Sequence, residues 1–180
     1  MALGSTVYNF DIDLADSDRG VYETLALRVA RHPSESGEFL VARVLAYCLE
    51  YTDGIEFSKG GLSDPDEPPI AIRDLTGAAR AWIDVGTPSA DRLHRAAKLA
   101  PRVAVYVHKD PGQWLAGLAS ARIHRADLIE LRGLDRSLVA DLAGRLDRRM
   151  ACAVSISGGE LYVSLDTATL SGPVRQLRLA

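Results

Sequence analysis

The sequence predicts an α/β fold in which a mixed central sheet is flanked by helices, and three observations predict it. Residues 8–14 alternate between apolar and polar side chains, which is typical of a strand with one buried face. Between residues 40 and 51 the apolar side chains recur at helical spacing. Residues 103–107 are continuously apolar, which indicates a strand buried on both faces.

The length and composition indicate one globular domain that spans residues 1–180. The chain has 180 residues, of which 47% are hydrophobic and 25% charged, so it can form a substantial core. Cys48 and Cys152 are isolated, which favours reduced, buried thiols over a disulfide or a zinc site.

We expect β-hairpins at both ends of the chain. The strand at residues 8–14 is followed by a polar turn at residues 16–20 and by a second alternating strand at residues 25–29. Near the other end, a pair of glycines separates two alternating segments, residues 152–157 and 160–165. Both hairpins are predicted additions to a central core.

That core is predicted at residues 34–108, in the order helix, three strands, helix, strand. Ser34 is the expected N-cap of the first helix, Glu35 lies in its first turn, and the helix ends near Asp53. Gly and Pro dominate residues 60–69, which predicts a loop. The three short strands are expected at residues 55–59, 70–74 and 80–85.

The second core helix is predicted to begin with Thr87 as N-cap and Pro88 at the first helical position. Arg95, Lys98 and Arg102 recur at spacings of three and four, which indicates a basic stripe on one face. After the buried strand, further elements are expected as a helix at residues 113–121, a strand at 128–131 and a helix at 135–148.

The charge balance limits the possible partners. A net charge of −3 and a sequence pI near 5.8 exclude a generally basic coat for nucleic acid, so any such contact would come from a local basic stripe. No apolar run approaches the roughly 20 residues that a membrane span needs. The first residues lack a secretory pattern. We therefore expect a cytoplasmic protein without a membrane partner, and a monomer.

Four acids are candidates for metal-dependent chemistry. Asp74 and Asp84 end neighbouring predicted strands, and a hairpin that pairs these strands would bring their carboxylates to one side of the sheet. Glu35 or Glu38, three residues apart on the first helix, would reach the same point. Clustered carboxylates suit Mg²⁺, which activates water and stabilises a phosphate transition state.

Structural roles compete with this interpretation. An aspartate before Leu-Thr-Gly commonly initiates a turn, as Asp74 would, and Asp84 would then be a capping residue at the end of a strand. Glu35 and Glu38 are also ordinary first-turn acids. Arg31 and His32 would contact phosphate, or would pair with these glutamates and fix the entry of the helix.

The chain resembles the YaeQ family. The resemblance rests on residues 30–35, the turn at residues 66–68, the segment at residues 82–86, and Pro88 and Arg92 beyond it. It implies a variant of the PD-(D/E)XK nuclease fold, which resembles restriction endonucleases. The core order of that fold, helix, three strands, helix, strand, is the order that residues 34–108 predict independently.

By position, the resemblance implies that Asp74 and Asp84 are the metal-ligating acids of that motif. The matching lysine would stand two residues after Asp84, where this chain has Gly86. The resemblance makes Arg95 and Lys98 the candidate substitutes, although an arginine stays protonated and is a poor proton shuttle. The remaining candidates for substrate binding are Arg31, His32, Arg92 and Arg102.

Two functions follow from these residues. The first is a Mg²⁺-dependent phosphodiesterase that acts on nucleic acid. The second is a nuclease-fold module without cleavage activity that binds a nucleic acid or a protein partner. The missing lysine and the acidic net charge favour the second, and the retained acids favour the first.

Overall fold

The computed structural model describes residues 4–59 and 64–179, which form two compact units. The first comprises residues 1–49 and 134–174, and the second comprises residues 50–133 and 175–180. In chain order the elements are β1 (Thr6–Asp16), β2 (Val21–Arg31), α1 (Gly37–Glu50), β3 (Ile55–Phe57), β4 (Ile70–Arg73), β5 (Ala79–Val85), α2 (Ala90–Leu99), β6 (Arg102–Val107), α3 (Gly112–Ala119), β7 (Glu130–Leu134), α4 (Arg136–Ala143), β8 (Arg149–Ser157), β9 (Glu160–Ser164) and β10 (Thr169–Leu177).

The first unit contains a mixed sheet in the order β2-β1-β8-β9-β10. Strands β1 and β2 form the predicted N-terminal hairpin, and β8 and β9 form the predicted hairpin near the C-terminus, turning at two glycines with φ of 59° and 73°. Strand β1 also runs parallel to β8, with Ile12 opposite Cys152. The alternating apolar residues of these strands are buried, as the period of two predicts.

The second unit contains a mixed sheet in the order β7-β6-β5-β4-β3. Its antiparallel meander is β3-β4-β5, whereas β5, β6 and β7 are parallel. Helix α2 connects β5 to β6 and buries Leu93 and Ala96 against Trp82 and Val105. The mixed α/β class and the predicted order of elements between residues 34 and 108 are confirmed. The single-domain interpretation stays a prediction.

Both predicted N-caps of the core helices are wrong. Residues 32–35 close a turn through the Glu35 N–H, which donates to the His32 carbonyl, so α1 begins only at Gly37. Ser36, rather than Ser34, accepts a hydrogen bond from the Phe39 N–H. For α2 the cap is Ser89, which is still extended (φ −66°, ψ 157°), so the chain turns into the helix after Pro88 instead of at it.

Strand β10 was missing from the sequence prediction because its central residues are Gly172 and Pro173. Gly172 is required there, since a Cβ at this position would lie 2.4 Å from the Cβ of Asp135. Three further boundaries differ: α3 begins at Gly112, α4 ends at Ala143 instead of residue 148, and β7 begins at Glu130 after a short 3-10 helix over Ala126–Leu128.

Cys48 is buried and Cys152 half-buried, and both are free thiols. Burial is the main reason that the pKa of the Cys152 thiol is raised to about 11, which keeps it protonated at neutral pH. None of the described helices combines the length and the apolar character that crossing a membrane would require.

Candidate functional site

Asp74 initiates a turn, which is the structural alternative that the sequence left open. Its Oδ1 atom accepts hydrogen bonds from the Thr76 N–H (2.9 Å) and the Ala78 N–H (3.1 Å) as well as from the Thr76 hydroxyl. Its Oδ2 atom lies 2.9 Å from Nε of Arg80, whose side chain is 65% exposed. The hydrogen bond from the Thr76 hydroxyl, above all, holds the pKa of Asp74 below its usual value.

Asp84 is buried in the sheet and bound to an arginine. Only 3% of the residue is exposed. Its Oδ2 atom accepts hydrogen bonds from Trp82 Nε1 at 3.1 Å and from Arg92 Nε at 2.7 Å, and its Oδ1 atom accepts one from the Val85 N–H at 3.3 Å. Both carboxylate oxygens therefore have protein donors, and the negative charge is matched by a guanidinium.

The strand register separates the two aspartates, so the predicted convergence of Asp74 and Asp84 is wrong. Arg73 pairs with Ala79 at one end of the β4/β5 ladder, and Ile70 pairs with Ile83 at the other. Asp74 follows the first pair, whereas Asp84 follows the second. Ala79 and Asp84 are five residue steps apart along β5, which corresponds to roughly 17 Å. Because the two strands are antiparallel, their C-terminal ends lie at opposite edges of the sheet.

Arg92 binds Asp84 and a loop at the same time. Besides its bond to Asp84, it donates to the Asp64 carbonyl (3.2 Å) and the Glu67 carbonyl (2.9 Å), and it lies 5.2 Å from the centre of the Trp82 ring. We call Trp82, Asp84, Arg92 and the backbone of residues 64–67 the Arg92 cluster. Three of the segments that carried the resemblance, residues 66–68, residues 82–86 and Arg92, thus meet in one place, where they fix a loop onto β5 and α2.

The Arg92 cluster does not suit Mg²⁺. A cation bound by Asp84 would have to displace the guanidinium that already neutralises it. Within residues 4–59 and 64–179 no three His, Cys, Asp or Glu side chains are placed to hold a metal ion together. Gly86 follows directly and has a φ of 87°, which favours glycine, so a lysine at this position would be strained.

Glu35 forms a buried ion pair in the first unit. Two nitrogens of Arg43 lie 2.8 and 2.9 Å from its two carboxylate oxygens, and the His32 N–H donates to it at 3.1 Å. Burial raises the pKa of Glu35 and lowers that of Arg43, while their mutual attraction opposes both shifts. Glu38 is half-buried in the first turn of α1.

Arg31 and His32 fix the entry to α1, in keeping with their structural interpretation. Arg31 donates to the Glu35 carbonyl at 3.0 Å and to the Tyr8 hydroxyl at 3.2 Å. The His32 ring lies 2.6 Å from the Ser34 hydroxyl. Arg31 therefore binds the main chain of Glu35 rather than its carboxylate.

Arg102 belongs to an internal network and lies apart from the predicted stripe. It donates two hydrogen bonds to Glu50 (2.7 and 3.0 Å) and two to Glu130 (2.9 and 2.8 Å). The buried Tyr106 hydroxyl also donates to Glu50, and Arg132 completes the network through Glu130. Hydrogen bonds to the two glutamates raise the pKa of Arg102, with Glu130 the larger cause.

Arg95 and Lys98 are exposed on α2, as the stripe predicted, and two further arginines lie near them. The His124 N–H donates to Nδ1 of His94 at 3.0 Å, which fixes residues 122–125 against α2. We call the four exposed cations of these two segments the α2 basic surface: Arg95, Lys98, Arg122 and Arg125. The sequence analysis missed the last two, although Arg-Ile-His-Arg was a visible basic signal.

Three of the four cations of the α2 basic surface form no ion pair with a described residue. Arg95 has a long contact of 3.6 Å with Asp66, and both side chains are at least half exposed. Across the described part of the chain, no ion pair involves Lys98, Arg122 or Arg125. This leaves positive charge available on one side of a chain whose net charge is −3.

Comparison with known proteins assigns the family. The family model described as "YaeQ protein" matches residues 1–173. The chain belongs to the YaeQ family. It is 31% identical over 173 residues to "Uncharacterized protein YaeQ" of Escherichia coli (strain K12), a match that covers 94% of each chain. The protein of the same description from Salmonella typhi is 31% identical over 166 residues, covering 91% of each.

Solved structures extend this agreement to the fold. The crystal structure of YaeQ protein from Pseudomonas syringae matches with a TM-score of 0.87 at 30% identity, covering 97% of this chain and 96% of that one. The structure of YaeQ protein from Xanthomonas axonopodis pv. citri also gives 0.87, at 31% identity, covering 98% and 99%. The predicted family membership is confirmed, whereas the relation to PD-(D/E)XK nucleases stays a prediction.

Proposed function

We propose that this YaeQ-family chain binds nucleic acid through the α2 basic surface and does not cleave it through Asp74 and Asp84. The observation that carries the proposal is the group of exposed cations on α2 and residues 122–125, in a chain that is acidic overall. Lys and Arg side chains that face solvent without acidic partners bind phosphates by releasing counterions from the nucleic acid.

The positions of the acids favour binding over metal-dependent cleavage. A nuclease of the predicted kind needs two carboxylates on one ion, but Asp74 and Asp84 follow opposite ends of the β4/β5 ladder. A metal at Asp84 would also have to break its buried pair with Arg92, and removing a partner from such a pair typically costs about 3–5 kcal/mol. Neither acid is therefore ready for Mg²⁺.

Fluorescence anisotropy with labelled DNA and RNA oligonucleotides tests the proposal. We expect the wild-type protein to bind, with a log–log salt slope of about −0.7 for each phosphate contacted on a single strand. The charge reversals Lys98→Glu and Arg122→Glu together are expected to weaken binding by about tenfold or more. Matched reversals at two exposed arginines of the first unit, Arg136→Glu and Arg145→Glu, serve as the control.

Two results would contradict the proposal. One is a loss of affinity in the control variant Arg136→Glu/Arg145→Glu equal to that in Lys98→Glu/Arg122→Glu, which would show that the loss depends only on net charge. The other is Mg²⁺- or Mn²⁺-dependent cleavage of the oligonucleotide that an Asp84→Asn variant, still folded by circular dichroism, no longer performs.

A further inference from the structure

An apolar surface adjoins the α2 basic surface. A shallow cavity of about 10 Å³ lies between the end of α2 and the 3-10 helix. Ala97, Ala100 and Val103 line it from the buried core, and we call its solvent-facing apolar side chains the apolar shelf: Pro101, Leu128 and Ile129, with Arg125 beside them. Leu128 is 54% exposed, so part of this apolar lining faces solvent.

Arg125 has a backbone conformation that costs stability. Its φ is 51° and its ψ 41°, and among the described residues it is the one non-glycine residue with a positive φ. Glycine adopts this left-handed conformation without strain, and asparagine adopts it more easily than arginine. Because strained backbone at a non-glycine residue clusters at functional sites, the Arg125 side chain is a candidate for ligand binding.

The surrounding contacts hold Arg125 in place beside the shelf. Its carbonyl accepts a hydrogen bond from the Leu128 N–H at 2.9 Å, which starts the 3-10 helix. One residue earlier, the His124 N–H binds the His94 ring, and the two imidazoles pack edge to face at 6.2 Å. The guanidinium therefore extends from an anchored backbone, three residues after Arg122 and beside the end of α2 that carries Lys98.

Phosphate binding alone does not require an apolar shelf. A planar guanidinium next to apolar side chains is instead suited to the face of an aromatic ring, on which it stacks. In duplex nucleic acid the base faces are covered by their neighbours, whereas in a single strand they are accessible and commonly stack on protein side chains.

We infer that the ligand of the α2 basic surface is single-stranded nucleic acid, with one unstacked base seated on the apolar shelf against the guanidinium of Arg125. Lys98 and Arg122 bind the flanking phosphates. This inference rests on the proposed function and adds to it the strandedness of the ligand and the residues that hold a base.

The test compares three labelled ligands with equal numbers of phosphates: a single-stranded oligonucleotide, a duplex, and an abasic single strand. Wild-type protein is expected to bind the base-bearing strand about tenfold more tightly than the abasic one, as one stacked base allows. Leu128→Ser and Arg125→Lys are expected to reduce this ratio towards one. Leu75→Ser, which alters a fully exposed leucine elsewhere in the second unit, is expected to leave it unchanged.

Arg125→Gly separates a binding role from a structural one. It removes the side chain and relieves the strained φ, so the melting temperature is expected to rise while the affinity for the single strand falls. A fall in both, with no change in the base-bearing to abasic ratio, would assign Arg125 a structural role and overturn the inference.

The outcomes also distinguish the two proposals. Salt-dependent binding with equal affinity for base-bearing and abasic strands, or with a preference for the duplex, overturns the base-binding inference and leaves the proposed function standing. If no oligonucleotide binds, or if only vesicles containing phosphatidylserine bind, both are wrong.

Discussion

Removal of the arginine partner of Asp84 is the change whose effect the structure defines best. Asp84 is 3% exposed in the wild type, and in an Arg92→Met variant it would keep its donors on Trp82 and Val85 but lose its counter-charge. Breaking a buried ion pair from one side costs about 3–5 kcal/mol. Because the Arg92 side chain is 20% exposed, we expect the lower end, about 3 kcal/mol.

Urea unfolding at neutral pH, followed by tryptophan fluorescence and circular dichroism, measures this loss. An Asp84→Asn/Arg92→Met double variant removes both charges, and we expect it to recover about half of the loss. Arg80→Met, which breaks the exposed ion pair to Asp74, serves as the control and is expected to leave the unfolding midpoint nearly unchanged. A loss below about 1 kcal/mol in Arg92→Met would refute the reasoning, since Asp84 would then tolerate the exchange of its partner.

Three further predictions concern stability. The pKa of Glu130 is lowered, chiefly by its hydrogen bond with Arg102. The stabilising contribution of this glutamate is therefore complete above its ordinary pKa of 4.5 and is lost as the pH falls through the lower folded pKa. Glu130→Gln should flatten the fall of the urea midpoint in acid, and an unchanged slope would contradict this. Val44→Ile adds a methyl group beside an apolar cavity of about 30 Å³ in the first unit and should stabilise the protein by about 0.8 kcal/mol. The control Val139→Ile adds the same group at a buried position that does not line this cavity and should destabilise the protein. Equal effects of the two variants in thermal melts would contradict the prediction. Glu35→Gln removes the negative charge of a buried ion pair and should cost about 3 kcal/mol in urea unfolding. A loss under about 1 kcal/mol would contradict the importance of that pair.

Local patterns in the sequence were sufficient for the order of the main elements from β1 to β9. The period of two in β1 and β2 and the helical period in α1 follow directly from which side chains are buried. The caps were less predictable, because Ser34 and Ser36 are equally good candidates and only the turn closed by His32 selects between them. Strand β10 was hidden because its Gly172 is required for a close approach to another segment.

The candidate site was harder to predict than the fold, because ion pairing depends on tertiary register. Nothing near Asp84 in the sequence indicates that Arg92 neutralises it, since the pair forms only when α2 lies against β5. Arg102 had the right spacing for an exposed stripe, yet Glu50, far away in sequence, binds it. The missed partner of α2 was Arg125, which becomes its neighbour through contacts that no local pattern encodes.

We propose above all that the α2 basic surface binds nucleic acid and that Asp84, which is paired with Arg92, does not take part in its cleavage. The most direct test of this proposal is an anisotropy titration of a labelled single-stranded oligonucleotide in the presence of Mg²⁺, with the oligonucleotide sized afterwards. We expect salt-dependent binding that the double variant Lys98→Glu/Arg122→Glu weakens by about tenfold. We also expect the length of the oligonucleotide to be unchanged. Equal affinity of wild type and this double variant, or an oligonucleotide shortened by wild type and left whole by Asp84→Asn, would contradict it.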